Sequence, residues 1–327
     1  MSRMPFSLRL KEIFLNDQVR LLDGFIQSST ASEHLNQQHT NEAFSEKWEK
    51  HHQSSEKEKL YAFQRDWYLK LYGFSSERDL AGFLASRSVI LDAGCGLGYK
   101  AAWFAKLAPQ ALVIGVDFSS AARAAAEEYK EIENLFFVQG DIADTKLRDG
   151  CIDYVSCDQV IMHTEDPVAT FAELARVTAV DGGEFACYFY AKKALPRELL
   201  DDFFRLRCKE MQSHELWELS EQLTELGKRL SEVKVQFDCP DVPALGIKGG
   251  RYDVQRFLYW NFIKCFWNED LGRETSISTN FDWYSPSNAK RFDKAEILEI
   301  VASARMQEVF FHAEDACYSG RFSRVRN

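Results

Sequence analysis

The residue types able to do chemistry concentrate between positions 88 and 166. Asp92 closes a short apolar run, Val89-Ile90-Leu91, and Gly94, Gly96 and Gly98 then alternate around Cys95. Asp117 closes a second run, Leu112-Val113-Ile114-Gly115-Val116. Gly140-Asp141-Ile142 follows a third, and Asp158-Gln159 with Met162-His163-Thr164 follow a fourth. A carboxylate is an acceptor only, so acids beside a glycine turn suit ligands bearing hydroxyl or ammonium donors. Glycine is needed where a Cβ would block a ligand's approach or the dihedrals of the turn. Asp158 is placed to meet a ligand amine or a nucleophile. His163 is the candidate general base or substrate contact, since histidine takes a proton near neutral pH. The competing reading of His163 is a packed histidine beside the helix that Asp166-Pro167 opens, an N-cap followed by proline at the first helical position.

These groups need elements to hold them. Val89 to Asp92, Leu112 to Asp117, 135–138, 151–157 and 184–190 read as strands, the first as a buried parallel strand. Between them, the segment 101–107, an Ala-rich 120–130 with Ser119 as N-cap, and 167–178 read as helices. Alternating strands and helices predict a doubly wound α/β sheet. A dinucleotide fingerprint, G-x-G-x-x-G/A, would put its last position on Tyr99. The third glycine is instead Gly98, giving D-x-G-x-G-x-G from Asp92.

That motif resembles motif I of the class I, Rossmann-like, S-adenosylmethionine-dependent methyltransferases, and the four motifs after it resemble their counterparts in order and spacing. The resemblance implies that Asp92 with Gly94, Cys95, Gly96 and Gly98 holds the methionine end of the cofactor. Asp117 would meet the ribose hydroxyls, as an acid does here in Rossmann-like folds, and Phe118 would cover the adenine. Gly140, Asp141 and Ile142 would meet the adenine edge, and Asp158 and Gln159 would complete the cofactor site. The implied fold is a mostly parallel class I sheet with an antiparallel closing strand, and the implied product is S-adenosylhomocysteine.

The rest of the chain divides around this core. Residues 1–79 are expected to form an N-terminal helical cap, with 9–27 amphipathic, 28–41 polar loop, and 41–72 helical through Leu60, Phe63, Trp67 and Leu71. Residues 80–190 form the core. Roughly a hundred residues, 191–290, intervene before the closing elements, too many for an ordinary connection. They read as an inserted, mainly helical lid or substrate subdomain, with helices over 199–230 and 254–267. Tyr190, Arg251, Tyr252, Trp283 and Tyr284 are the candidate substrate contacts with His163; Arg251 and Tyr252 with Asp253 and Arg256 suit an anionic substrate, and Asp253 also reads as a helix cap. Residues 291–327 close the core with a helix over 294–304 and strands over 306–312 and 317–325.

Composition narrows the function. Forty Lys and Arg against fifty Asp and Glu give a formal net charge of -10, which argues against DNA and disfavours RNA as partner. No stretch reaches membrane-spanning length, and residues 1–20 have no secretory pattern. Eight cysteines without a C-x-x-C, and no H-x-x-x-H pair, predict reduced thiols in a cytoplasmic protein without a metal site. The expectation is methyl transfer to a small molecule or metabolite, in biosynthesis, at an O, N or C nucleophile; a homodimer is left open. A protein or RNA acceptor is the first rival. A non-catalytic methyltransferase-like subunit is the second, disfavoured by the intact glycine turn and Asp117.

Overall fold

The computed structural model describes residues 4–15, 21–28 and 34–325. In chain order the elements are α1 (Phe6–Glu12), β1 (Leu21–Leu22), β2 (Phe25–Gln27), α2 (Leu35–His52), α3 (Lys57–Leu71), α4 (Glu77–Ala85), β3 (Val89–Ala93), α5 (Tyr99–Leu107), β4 (Leu112–Asp117), α6 (Ala121–Glu128), β5 (Leu135–Gln139) and β6 (Tyr154–Cys157). They continue as α7 (Pro167–Val177), β7 (Glu184–Tyr190), α8 (Leu195–Cys208), α9 (Ser213–Glu232), β8 (Gln236–Cys239), β9 (Gly250–Asp253), α10 (Val254–Asn261), α11 (Arg273–Tyr284), α12 (Lys294–Ser303), β10 (Met306–Ala313) and β11 (Cys317–Arg324). The described residues within 1–38, 63–191 and 290–327 form one compact unit, and 39–62 with 192–289 form a second.

The first unit is built on a nine-stranded sheet in the order β1-β2-β5-β4-β3-β6-β7-β11-β10. From β2 to β7 every pairing is parallel, and β11 and β10 add antiparallel strands at one edge. Counted from the Val89 strand, the class I order 3-2-1-4-5-7-6 results. It reverses at β3, which has β4 on one side and β6 on the other. Ligands of open α/β sheets bind outside the carboxyl ends of the strands at such a switch point, and those ends carry Asp92, Asp117 and Asp158.

The strands form where the sequence is continuously apolar because both faces are covered. Every residue of β3 is buried, as are the first five of β4 and the first four of β5. Phe137 in β5 is 1% exposed, and burying such a ring contributes about 1.5–3 kcal/mol. It fills space left by two glycines: a Cβ on Gly98 or Gly115 would lie 2.6 or 2.7 Å from its ring. Asp166 caps α7 as expected, accepting from Val168 N at 2.9 Å and Ala169 N at 3.0 Å.

In the second unit α9 packs on α11, with Trp217 stacked on Phe281 at 3.8 Å between ring centroids. The backbone at Cys265 lies close on α9: a Cβ on Gly227 would meet the Cys265 carbonyl oxygen at 2.3 Å.

Several expected boundaries move. The N-terminal segment is not helical throughout, because 21–27 supplies β1 and β2, and β2 pairs parallel with β5. Residues 16–20 of the expected amphipathic stretch and 29–33 of the expected loop lie outside the described residues. The rest of that loop is largely helical, α2 starting at Leu35. The helix expected over 199–230 is two, broken at Lys209–Gln212, where Gln212 and Glu215 form a capping box. The aromatic helix after Val254 stops at Asn261, and the insertion also carries the antiparallel ribbon β8–β9. Strand β6 is shorter than 151–157, and α6 begins after Ser120, not Ser119.

Candidate functional site

The glycine turn has the backbone that its composition demands. Gly94, Gly96 and Gly98 have φ of 80°, 50° and 77°, the left-handed region that a side chain disfavours. The turn is pinned to β4: Gly94 N and Cys95 N both donate to the Val116 carbonyl, at 2.7 and 3.0 Å. Gly98 N donates to Cys95 O at 2.9 Å, and Gly98 is the N-cap of α5. A Cβ on Gly94 would lie 2.3 Å from the Val160 side chain. Gly94 and Gly98 are therefore required by packing as well as by turn geometry. The Cys95 thiol is buried and burial pushes its pKa up, so it is a packing group and not a nucleophile.

Asp92 is 1% exposed, and neither carboxylate oxygen has a hydrogen-bond partner. Burial raises its pKa to about 6, against the pull of the Lys100 ammonium and a smaller one from the nearby Ala101 N–H, and with a further push from the charges of Asp158 and Asp117. Lys100, in the first turn of α5, is also buried and lies 2.7 Å from Asp158 Oδ2. Tyr72 donates its hydroxyl to Asp158 Oδ1 at 2.9 Å, and Gln159 Nε2 reaches Oδ2 at 3.3 Å. Gln159 has φ of 64°, a strained conformation of the kind stored at functional sites. With both acids ionised, Asp92, Asp158 and Lys100 sum to one negative charge, and the orphaned oxygens are those of Asp92.

Asp117 shapes the loop directly. Its Oδ2 accepts from Gly96 N at 2.7 Å. Its Oδ1 accepts from Ser119 N at 2.9 Å and Ser119 Oγ at 2.6 Å. Burial raises its pKa against these three hydrogen bonds. Gly140 N donates to Asp117 O at 3.0 Å, bringing the Gly140-Asp141-Ile142 turn beside it. The half-buried Phe118 carbonyl faces Gln139 Nε2 at 3.4 Å. Asp141 folds back on Ala143 N at 2.8 Å, burial raises its pKa, and Ile142 is buried. The structure thus brings Asp92, the three glycines, Asp117 and Asp141 to the carboxyl ends of β3, β4 and β5. Asp158 is beside them but committed to Lys100 and Tyr72.

His163 closes a single turn, Ile161–His163, after β6 and is buried, its ring edge-on to Tyr190 at 5.5 Å. The remaining substrate candidates fall in the second unit and do not form one group. Arg251 Nε is held by Gln236 Oε1 at 3.0 Å, and Tyr252 OH by Lys248 O at 3.0 Å, both on the β8–β9 ribbon and its turn. Asp253 caps α10, accepting from Arg256 N at 2.9 Å. Trp283 and Tyr284 are buried and donate to Asp201, at 2.8 and 2.9 Å. Sequence reasoning missed Lys100, Tyr72 and Asp201. A lysine in the first turn of a helix, where the macrodipole disfavours a cation, was the available signal for Lys100.

Residues 84–235 match the sequence model of a methyltransferase domain family. An uncharacterized methyltransferase of Schizosaccharomyces pombe is 38% identical over 107 residues, which cover 30% of this chain and 38% of that protein. A trans-aconitate 2-methyltransferase of Deinococcus radiodurans is 42% identical over 69 residues, covering 20% of this chain and 26% of the relative. The chain thus spans well under two thirds of the length of these relatives. Among solved structures, the magnesium protoporphyrin IX methyltransferase of Synechocystis with bound SAM superposes with a TM-score of 0.47 at 13% identity, covering 90% of this chain and 100% of that one. The matched segment contains the strand at which the sheet reverses, the glycine turn and both acid-ended strands, so the part of this chain that is similar to a methyltransferase domain is the part that builds the site.

Proposed function

We propose that this protein transfers the methyl group of S-adenosylmethionine to a small-molecule or metabolite acceptor, as a step of biosynthesis. The observation that carries the cofactor assignment is the orphaned buried carboxylate of Asp92 beside the glycine turn. An ammonium group brings the charge of Asp92, Asp158 and Lys100 to zero and supplies the missing donors. Asp117 already holds the turn through Gly96, and its oxygens retain acceptor capacity for ribose hydroxyls. Phe118 and the 140–142 turn are assigned to the adenine, and Gln159 to the rim beside Asp158.

Bound there, the cofactor supplies a methyl group already activated by its sulfonium, so the reaction is an in-line displacement. The protein's own work is then to align the acceptor, exclude water and, for an O or C nucleophile, take its proton. His163 is assigned that proton, with the half-buried Tyr190 ring holding the imidazole edge-on. A neutral amine acceptor needs no base. The second unit is assigned to the acceptor, and the trans-aconitate methyltransferase relative supports a metabolite in that role. No helix among the described residues is long and apolar enough to cross a membrane. Eight free cysteines, six of them buried, support a reducing, cytoplasmic setting. Isothermal titration with S-adenosylhomocysteine, S-adenosylmethionine and NAD tests the reading. Binding of the first two and not the third is expected; binding of NAD alone would overturn it.

A further inference from the structure

The second unit holds a buried cationic cluster that the reading above leaves unused. Arg197 and Asp201, one turn apart on α8, pair at 2.7 Å with side chains 1% and 0% exposed. Arg197 also donates to the carbonyl oxygen of Tyr259. Asp201 is fully engaged: Oδ2 takes the Arg197 Nε and the Trp283 indole N–H, and Oδ1 takes the Tyr284 hydroxyl. Lys264, just past α10, enters the same place. Its ammonium lies 4.3 Å from the centroid of the Trp283 ring, and the Arg197 guanidinium lies 5.2 Å from that centroid. Arg205 of α8 approaches the same ring at 5.3 Å.

The acids that act on Lys264 are committed to other cations, and Arg205, against the same ring, adds a further positive charge. Arg197 and Asp201 neutralise each other. Asp282, the other acid acting on Lys264, is 2.5 Å from Lys47. Lys193 adds positive charge before α8. Burial and Arg197 push the Lys264 ammonium down to about 7, Lys193 adds to that push, and Asp282 and Asp201 oppose it. The phenols of Tyr259 and Tyr284 are held neutral by burial. Packing alone does not call for a lysine here, because a methionine fills a similar volume without a charge to desolvate. A buried cation against aromatic faces, next to an arginine, is completed by one negative charge. The Trp283 ring beside the Lys264 ammonium offers an apolar face next to a cation, which suits the apolar body and charge of an organic carboxylate better than inorganic phosphate.

We propose that Lys264, with Arg197 and Trp283, forms a binding site for an organic carboxylate. The test is calorimetric titration of the whole protein with benzoate, and with benzamide as its neutral counterpart, from pH 6 to 9. S-adenosylhomocysteine is titrated in parallel. Benzoate is expected to bind at least about tenfold more tightly than benzamide, as a charge-assisted contact requires. Its affinity is full below the ammonium's pKa of about 7 and weakens by up to about tenfold per pH unit above it, until the ligand-bound lysine itself titrates. Lys264→Met should lose about tenfold or more of the benzoate affinity without a lower melting temperature. Lys264→Arg should keep benzoate binding and lose its pH dependence. Equal affinity for benzoate and benzamide, a flat pH profile in the natural protein, unchanged benzoate binding in Lys264→Met, or no benzoate binding at about 1 mM would each overturn the site. Loss of these benzoate effects with S-adenosylhomocysteine binding intact removes the carboxylate site alone. Benzoate behaving as expected without S-adenosylhomocysteine binding removes the methyltransferase reading and leaves the site.

Discussion

Replacing Asp92 by asparagine should make the ligand-free protein more stable and its cofactor affinity worse. The buried carboxyl has an ordinary value of 3.8 and is held at about 6, a gap of about two pH units. At about 1.4 kcal/mol per unit, ionised Asp92 costs the folded state roughly 3 kcal/mol. The sign follows from the raised value. Below pH 3.8 the group is protonated folded and unfolded and costs nothing; the cost develops as pH climbs from 3.8 to about 6 and is complete above that. Asparagine mimics the protonated acid in shape and charge. It also leaves Lys100 and Asp158 as a balanced pair 2.7 Å apart. Melting curves of both proteins at pH 8 and pH 4 are the assay. Asp92→Asn should melt several degrees higher at pH 8, with the advantage shrinking toward zero at pH 4. S-adenosylhomocysteine affinity should fall about tenfold or more at pH 8, because the ammonium loses its counter-charge. A lower melting point for the variant at pH 8, or a difference that ignores pH, would refute the orphaned-charge reasoning.

Other sites give sharper separations between fold and function. Asp117→Ala should weaken S-adenosylhomocysteine binding by about ten- to a hundredfold and also lower the melting point, because Gly96 N and Ser119 lose their acceptor; a stability loss with affinity unchanged in the folded fraction would make Asp117 structural only. Gly98→Val should cost the whole domain about 1–3 kcal/mol of backbone strain alone, on top of its clash with Phe137, read by chemical denaturation. Gly96→Val, at φ of 50°, should abolish S-adenosylhomocysteine binding in the same titration. His163→Gln should spare cofactor affinity and lower turnover by about 10²–10⁴-fold, with loss of the acid-side limb of the pH–rate profile; a drop in stability with an unchanged profile would assign it to packing against Tyr190.

The legible parts of this molecule are those fixed by local pattern. Strand β7 spans Glu184–Tyr190 as its apolar run predicts, and the turn from Asp92 to Gly98 is readable because three positive-φ positions demand three glycines. Residues set by partners distant in sequence were not readable. Lys100 makes sense only once Asp158, 58 positions later, is folded beside it. The partner of Trp283 and Tyr284 could not be read either, because Asp201, which takes both donors, stands more than eighty positions earlier. The start of α2 was missed because Leu35-Asn36-Gln37-Gln38-His39-Thr40 has no apolar period. Its face is instead held by polar contacts such as His39 Nδ1 to Ser287 Oγ at 2.9 Å and the Asn288 N–H to Thr40 Oγ1 at 3.1 Å. Gly98 was read for a ligand's approach, yet its missing Cβ also makes room for Phe137.

The central claim is that the orphaned carboxylate beside the glycine turn is the anchor of S-adenosylmethionine. A crystal structure with S-adenosylhomocysteine bound tests it most directly. The account predicts the ligand's ammonium at Asp92, its ribose hydroxyls at Asp117 and its adenine between Phe118 and the Asp141 turn. A ligand lying elsewhere, or Asp92 still without a donor in the bound state, would contradict it.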